Sequence, residues 1–440
     1  MPMMPPHSLD GTPRGVAPVA PVASRTSRAR VIAAASFGNG LEMFDFTIFS
    51  FFATTIGTLF FPSTTSYGSL LMAVAVFGLG FVMRPLGGVV IGSYADRAGR
   101  KAAMTLTITL MSIGTALIAF APTHATIGPL APLLIIAGRL LQGFSAGGEV
   151  GAATSLLMES GSANTRGFRV SWQLSSQGGA ALLGALFGYA VSHHLSPDAL
   201  NSWGWRVPFV FGLLILPVGF YIRRTTHETF SDETREVGAL REVFVSHRRM
   251  LVLGVLMTVG STAGMYITVF YMPTYMIRVL GMPSSSAFVS SCLAGLILLL
   301  VAPLGGLLAD RIVRRKPIVF CTKIVSALLI LPAFFALNHS PSIGTSVIVT
   351  SLLMLCMAVG GPAGTLLLLE AFPPSVRATG LSIVYSVGVT VFGGFAQLAV
   401  TWLLSATGNP MSPAWYMIGC SAISFAALIA MREVPRETTR

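Results

Sequence analysis

GSYADRAGRK at Gly92–Lys101 and GLLADRIVRRK at Gly306–Lys316 are two copies of one charged turn, each closing an apolar run. A second pair follows in the same order: Glu159 with Arg166, then Glu370 with Arg377. The copies are offset by 214 residues at Asp96 and Asp310, and by 211 at Glu159 and Glu370. Chance matches do not keep so constant an offset, so the chain reads as a parallel internal repeat. Its one long polar interruption, Arg223–Arg249, lies between the copies.

The flanking sequence says what is repeated. Of 440 residues, 53% are hydrophobic and only 10% charged, with a mean hydropathy of +0.75. A soluble domain needs far more charge to cover its surface. About 20 apolar residues cross a hydrocarbon core of roughly 30 Å. Twelve such stretches can be read, at 32–60, 69–95, 102–121, 129–158, 166–193, 206–222, 250–276, 284–311, 317–337, 342–370, 377–405 and 413–431. The expected fold is an all-α membrane protein, twelve transmembrane helices in two pseudo-symmetric six-helix bundles. Its divisions are a disordered tail at 1–30, bundles at 31–222 and 250–431, a linker at 223–249 and a short tail at 432–440.

A formal charge of +12 would suggest a nucleic-acid partner for a soluble protein. Its placement speaks for the bilayer instead. With the N-terminus inside, 23 of the 28 Lys and Arg fall in cytoplasmic segments. That is the positive-inside asymmetry, and it predicts a multi-pass bacterial inner-membrane protein with both termini cytoplasmic; a monomer is the expected working unit. The four cysteines stand far apart in apolar runs, and every histidine lies in a tail, linker or outer loop, so no metal site is expected. The sequence has no GxxxxGK[ST], which disfavours ATP as the energy source, and no cofactor is expected.

The repeated turns, Gly92, Asp96, Arg97, Gly99 and Arg100 in one copy and Asp310 and Arg311 in the other, fall where a span meets the cytoplasm. Such a turn can set an aspartate beside a helix N-terminus while its arginines pair with acids, here Glu159 and Glu370, near Arg166 and Arg377. Ordinary loop charge would explain a single copy. Duplication favours a cytoplasmic gate that breaks and re-forms.

On these residues the chain resembles the major facilitator superfamily, whose characteristic loop between its second and third helices is GSYADRAGRK. The second copy departs from the pattern with Val313 in place of glycine. GNGLEMFDF at Gly38–Phe46, MRPLGG at Met83–Gly88, GRLLQGFSAGGE at Gly138–Glu149 and WGWRVPF at Trp203–Phe209 look like the metabolite–proton symporter family. Within it, the likeness is to citrate–proton and tricarballylate carriers. The resemblance implies alternating-access transport, not an enzyme.

Charges inside spans each need a reason, because an ionised group at the bilayer centre costs a few kcal/mol or more. Glu42 and Asp45 share one face of the first span, where two carboxylates do not both ionise readily. One of them is therefore a candidate proton carrier, and a permanent salt bridge is the plainer alternative. The resemblance favours Asp45, which matches the proton-linked aspartate of relatives, with Glu149 a further candidate. Arg139, followed by Gln142, matches an arginine that in relatives faces the first-helix acid. Freed by protonation of Asp45, it could bind a substrate carboxylate through its fork. Arg84 is either an anion contact or a partner of an acid such as Glu42. In the second half, Tyr266 and Tyr271, near a kink expected at Pro273, are candidate neutral contacts, and Lys323 is expected to snorkel.

The expected function is proton-coupled import of a small organic anion, a tricarboxylate such as citrate or tricarballylate. The same fold with another organic acid (a dicarboxylate, a shikimate-like acid), a zwitterionic osmolyte such as proline or betaine, or an efflux substrate is the alternative. A membrane enzyme or sensor would leave the duplicated turns without a role.

Overall fold

A computed structural model describes residues 25–98, 100–148, 160–213 and 239–433, with Thr154, Leu157 and Met158. In lipid every backbone polar group must be satisfied within the protein, so an apolar chain of this kind folds as helices. The first half holds α1 (Arg25–Phe51), α2 (Ala53–Phe60), α3 (Gly68–Ala98), α4 (Arg100–Ala119), α5 (Leu130–Ser145) and α6 (Arg166–His194), with further helix over 207–213. The second half opens with the short α7 (Ala239–Ser246), then α8 (Arg248–Met265) and α9 (Met272–Arg278). It continues with α10 (Ser284–Arg311), α11 (Lys316–His339), α12 (Ile343–Glu370), α13 (Arg377–Val389), α14 (Ala396–Thr407) and α15 (Ser412–Ala430). Each of the twelve predicted spans overlaps helix among the described residues; 214–222 of the sixth and most of 149–158 of the fourth lie outside them.

By length and apolar composition alone, seven described helices can cross a membrane, or eight when α1 and α2, bent by 63°, count as one. α6 is long enough yet too polar to pass. Its buried Arg169, Ser171, Gln173, Ser175 and Gln177 explain why: it is packed against protein on both sides rather than against lipid.

The repeat organises the packing. α10 of the second half lies along α6 of the first, and α3 of the first half lies against the α13–α14 region of the second. Since α3 corresponds to α10 and α6 to α13–α14, the two seams between bundles are repeat-mates. The α6–α10 seam is very close: a Cβ at Gly178 would sit 2.5 Å from the Leu299 nitrogen, and one at Gly295 2.5 Å from that of Leu182.

The predicted kink at Pro273 takes a specific form. The chain widens into a π-helical turn at Tyr266–Tyr271, and Pro273 starts the next helix, where its missing N–H does least harm. A second π-helical turn, Thr390–Gly394, joins α13 to α14. Both face the first bundle. The Thr390 hydroxyl donates to the Phe81 carbonyl at 3.0 Å, and the Tyr266 and Phe81 rings meet at 5.5 Å.

The repeated turns sit at one end of the molecule, the loop end. The Asp310 carboxylate accepts from the backbone N–H groups of Gly167 at 2.7 Å and Phe168 at 2.9 Å, capping α6 of the other bundle. Glu370 binds Arg315 and lies 3.9 Å from Arg166 across the seam. The buried cation of the second turn is thus Arg315; Arg311, named from the sequence, is exposed, as is Arg97. Arg377 donates to the Leu369 carbonyl at 3.0 Å. Val313 fits because the chain leaves α10 through an extended Ile312, with no left-handed residue for glycine to supply. Gly92 lies within α3; Gly99 and Glu159 fall outside the described residues, as do the side chains of Asp96 and Arg100. Glu433, assigned from the sequence to the terminal tail, caps α11 through the Lys316 N–H at 3.2 Å.

Asp310→Asn removes the charge from the α6 cap. A charged cap contributes about 0.3–1 kcal/mol, more when partly buried, so loop-end opening is expected to become several-fold more populated. Spin labels on exposed Ser162 and Arg314 should show a longer mean distance in the variant. An unchanged distance distribution would deny Asp310 a gating role.

Candidate functional site

Two buried cations and two buried carboxylates stand together in the first bundle. α1 carries Glu42 and Asp45, α3 carries Arg84, and α5 carries Arg139; all are at most 7% exposed. Three residues advance a helix face by roughly 300°, so the two carboxylates diverge by about 60° toward different neighbours. Glu42 meets Arg84 Nη2 at 2.9 Å. Asp45 Oδ2 accepts from the Thr115 hydroxyl of α4 at 2.6 Å. The two acids that share one face in the sequence reading thus have separate partners, Arg84 for Glu42 and Thr115 for Asp45.

Asp45 and Arg139 are linked but do not touch. Arg139 Nη1 donates to Gln142 Oε1 at 2.8 Å, Gln142 Nε2 donates to Thr115 Oγ1 at 2.9 Å, and Thr115 donates to Asp45. Every bond in this chain points from the cation toward the acid. Asp45 Oδ1 has no hydrogen-bond partner among the described residues and faces the backbone of Gly212, where a Cβ would stand 2.9 Å away. A direct ion pair, anticipated from the resemblance, is thus replaced by a relay through Thr115 and Gln142. Thr115 was not legible in the sequence, because nothing separates it from the other threonines of the same span. Glu149 falls outside the described residues.

Phenylalanines supply the remaining surroundings. The Arg139 guanidinium carbon lies 4.3 Å from the Phe46 ring centroid and 4.6 Å from that of Phe49, while Arg84 lies 4.6 Å from Phe46 and 4.3 Å from Phe81. Desolvated cations over ring faces gain about 2 kcal/mol, which offsets part of the burial cost. Glycines fix the depth of both arginines: a Cβ at Gly147 would stand 2.0 Å from the Arg84 carbonyl oxygen, and one at Gly143 1.6 Å from that of Gly80.

The second bundle offers neutral groups. Tyr266 reaches the Phe81 face beside Arg84. Tyr271 accepts from Thr401 at 2.8 Å, a bond within its own bundle. Tyr385 crosses the seam, its hydroxyl 3.4 Å from Gln177 Nε2. Ser50 and Gln397, both fully buried, join the bundles beyond the charges at 2.8 Å. Gln173, Gln177 and Gln397 were missed, although a glutamine within an apolar span is a usable signal. Lys323 does not snorkel; its Nζ meets Ser424 Oγ at 2.6 Å and Ser261 Oγ at 3.1 Å, bridging α11, α15 and α8.

Family models place these features among known proteins. The model described as Major Facilitator Superfamily matches residues 35–320, and one described as Sugar (and other) transporter matches 222–438. A citrate-proton symporter of Klebsiella pneumoniae is 38% identical over 90% of this chain and 88% of its own length. An alpha-ketoglutarate permease of Escherichia coli (strain K12) is 34% identical, over 91% of this chain and 94% of that one. The crystal structure of a D-xylose-proton symporter superposes with a TM-score of 0.75 at 18% identity, covering 94% of this chain and 99% of that chain.

Proposed function

We propose that this chain, which belongs to the major facilitator superfamily, imports a small tricarboxylate such as citrate together with protons by alternating access. Its fold and relatives are those of transporters, not enzymes. The observation that carries the reading is the set of two buried guanidiniums and two buried carboxylates at the seam side of the first bundle. A polyanion needs cations in a low-dielectric setting, and protons are needed to offset the charge moved. Similarity over nearly the whole chain to a citrate-proton symporter supports tricarboxylate cargo; similarity to a 2-oxo-dicarboxylate permease makes a dicarboxylate the second choice.

In this reading Asp45 is the proton carrier. The relay from Arg139 stabilises the ionised carboxylate through directed hydrogen bonds, and a proton on Asp45 releases the relay. Gln142 then works as a link rather than a substrate contact, and Tyr266 and Tyr385 supply neutral contacts opposite the arginines. Capping of α6 by Asp310 and the Arg315–Glu370 pair hold the loop end shut in one state. The distribution of Lys and Arg supports an inner-membrane orientation with both termini and the loop end in the cytoplasm.

Labelled citrate, tricarballylate, 2-oxoglutarate and proline offered to proteoliposomes with an inside-alkaline gradient test the reading. Citrate or tricarballylate should accumulate and should leave when the gradient is collapsed. Accumulation of proline alone, or of no carboxylate, would overturn it.

A further inference from the structure

The two cation–carboxylate sets differ in how they are held. Arg139 is sealed: its guanidinium is bound by Gln142, lies within 3.5 Å of the Phe77 carbonyl and is covered by three phenyl rings. Arg84 lies beside Phe81, the residue that touches the second bundle through both Tyr266 and Thr390. The Tyr266 and Tyr385 hydroxyls stand within the electrostatic reach of Arg84 and Glu42. Among the described residues Glu42 meets Arg84 through Oε1 and Nη2, and Arg84 Nε, like Arg139 Nε, is buried with no hydrogen-bond partner; what sets Arg84 apart is its place beside the second bundle. A guanidinium offers five donors in a fork matched to a carboxylate, and the Nε side of that fork is unused here.

We propose that Glu42 is a built-in competitor for the substrate, an internal carboxylate that occupies Arg84 until a substrate carboxylate takes the fork and a proton neutralises the displaced Glu42. This rests on the reading of the chain as a tricarboxylate carrier. A free carboxylate can take Nε and one Nη together, whereas Glu42 leaves Nε unbonded. Once parted from Arg84, Glu42 loses the stabilisation of that cation, and burial favours its neutral form. The exchange balances: the Arg84–Glu42 contact breaks, an Arg84–substrate contact forms, one proton from water joins the Glu42 carboxylate, and Arg84 keeps its charge throughout.

Among the described residues, the charged and titratable groups that interact with Glu42 include Arg84 on α3 and Tyr266 and Tyr385 from the second bundle, with Asp45 one turn further along α1. α6 contributes the neutral Gln173 and Gln177 at that depth. Substrate binding therefore carries its own proton, distinct from the one on Asp45. It also gives selection for anions, because a neutral or zwitterionic solute without a free carboxylate fork cannot evict Glu42.

The test is binding of labelled citrate to the purified full-length protein, with protons taken up per citrate measured by calorimetry in buffers of different ionisation enthalpy. Glu42→Gln removes the competitor and is expected to tighten binding at neutral pH by about ten-fold or more. It should also lower proton uptake by about one per citrate and flatten the rise in affinity toward acid pH. Glu42→Asp, whose shorter carboxylate reaches Arg84 poorly, should tighten binding while keeping the proton, and it decides the matter if the glutamine variant does not fold. Binding by the wild type with equal or weaker binding in both variants, or with unchanged proton uptake in Glu42→Gln, would overturn the competitor role and leave the carrier reading standing. No citrate binding by wild type or variants would overturn both.

Discussion

Asp45→Asn is expected to abolish gradient-driven accumulation of citrate while leaving exchange of citrate across the membrane in place. Asparagine keeps the shape of the side chain and an oxygen for the Thr115 hydroxyl, now 2.6 Å from Asp45 Oδ2, but it cannot gain or lose a proton. The relay through Gln142 to Arg139 would then stay in a single state. A carrier that cycles only with substrate bound can still exchange but cannot store gradient energy. Accumulation ratios should fall from the value set by the pH gradient to about one, because an exchange-only carrier returns one substrate, with any proton bound alongside it, for each one it brings in. Full accumulation in the variant would move the coupling proton to another acid, with Glu42 and Glu149 next.

Gly143→Ala should be the most damaging single methyl in the first bundle. Its Cβ would stand 1.6 Å from the Gly80 carbonyl oxygen and 2.5 Å from the carbonyl carbon, both backbone atoms that cannot swing aside. The α3–α5 seam would have to open by more than an ångström, and overpacking of that kind costs about 1–3 kcal/mol or more. Arg84 and Arg139 ride on those two helices, so their spacing over Phe46 would change with the seam. The variant is expected to lose most of its folded yield in detergent, and the surviving fraction to lose citrate binding. Wild-type thermal stability in Gly143→Ala would mean that the seam yields elsewhere.

Architecture was far more legible than the site, and for a physical reason. A span announces itself through some twenty consecutive residues, and the duplicated turns at Gly92–Lys101 and Gly306–Lys316 repeat at a constant offset, so errors at single positions cancel. The partners of a buried charge are set instead by which helix stands beside it. Glu42 and Asp45 were identifiable as intramembrane acids, but that one turns to Arg84 and the other to Thr115 depends on α3 and α4 flanking α1. Thr115 carries no mark in the sequence. Arg315 was missed beside Arg311 for a related reason: the turn supplies several arginines, and only its path after Ile312 decides which one is buried against Glu370. Lys323 was misjudged because the oxygens that receive it, on Ser424 and Ser261, belong to helices distant in sequence.

Coupling of citrate to protons is tested most directly by following the protons. Proteoliposomes holding a trapped pH dye, with no gradient imposed and the membrane potential clamped, receive citrate outside. The arrangement of Asp45, Arg139, Glu42 and Arg84 predicts acidification of the lumen that begins with citrate entry, is absent with Asp45→Asn, and does not occur with a neutral sugar. Citrate entry with no change in internal pH would contradict proton-coupled transport by this chain.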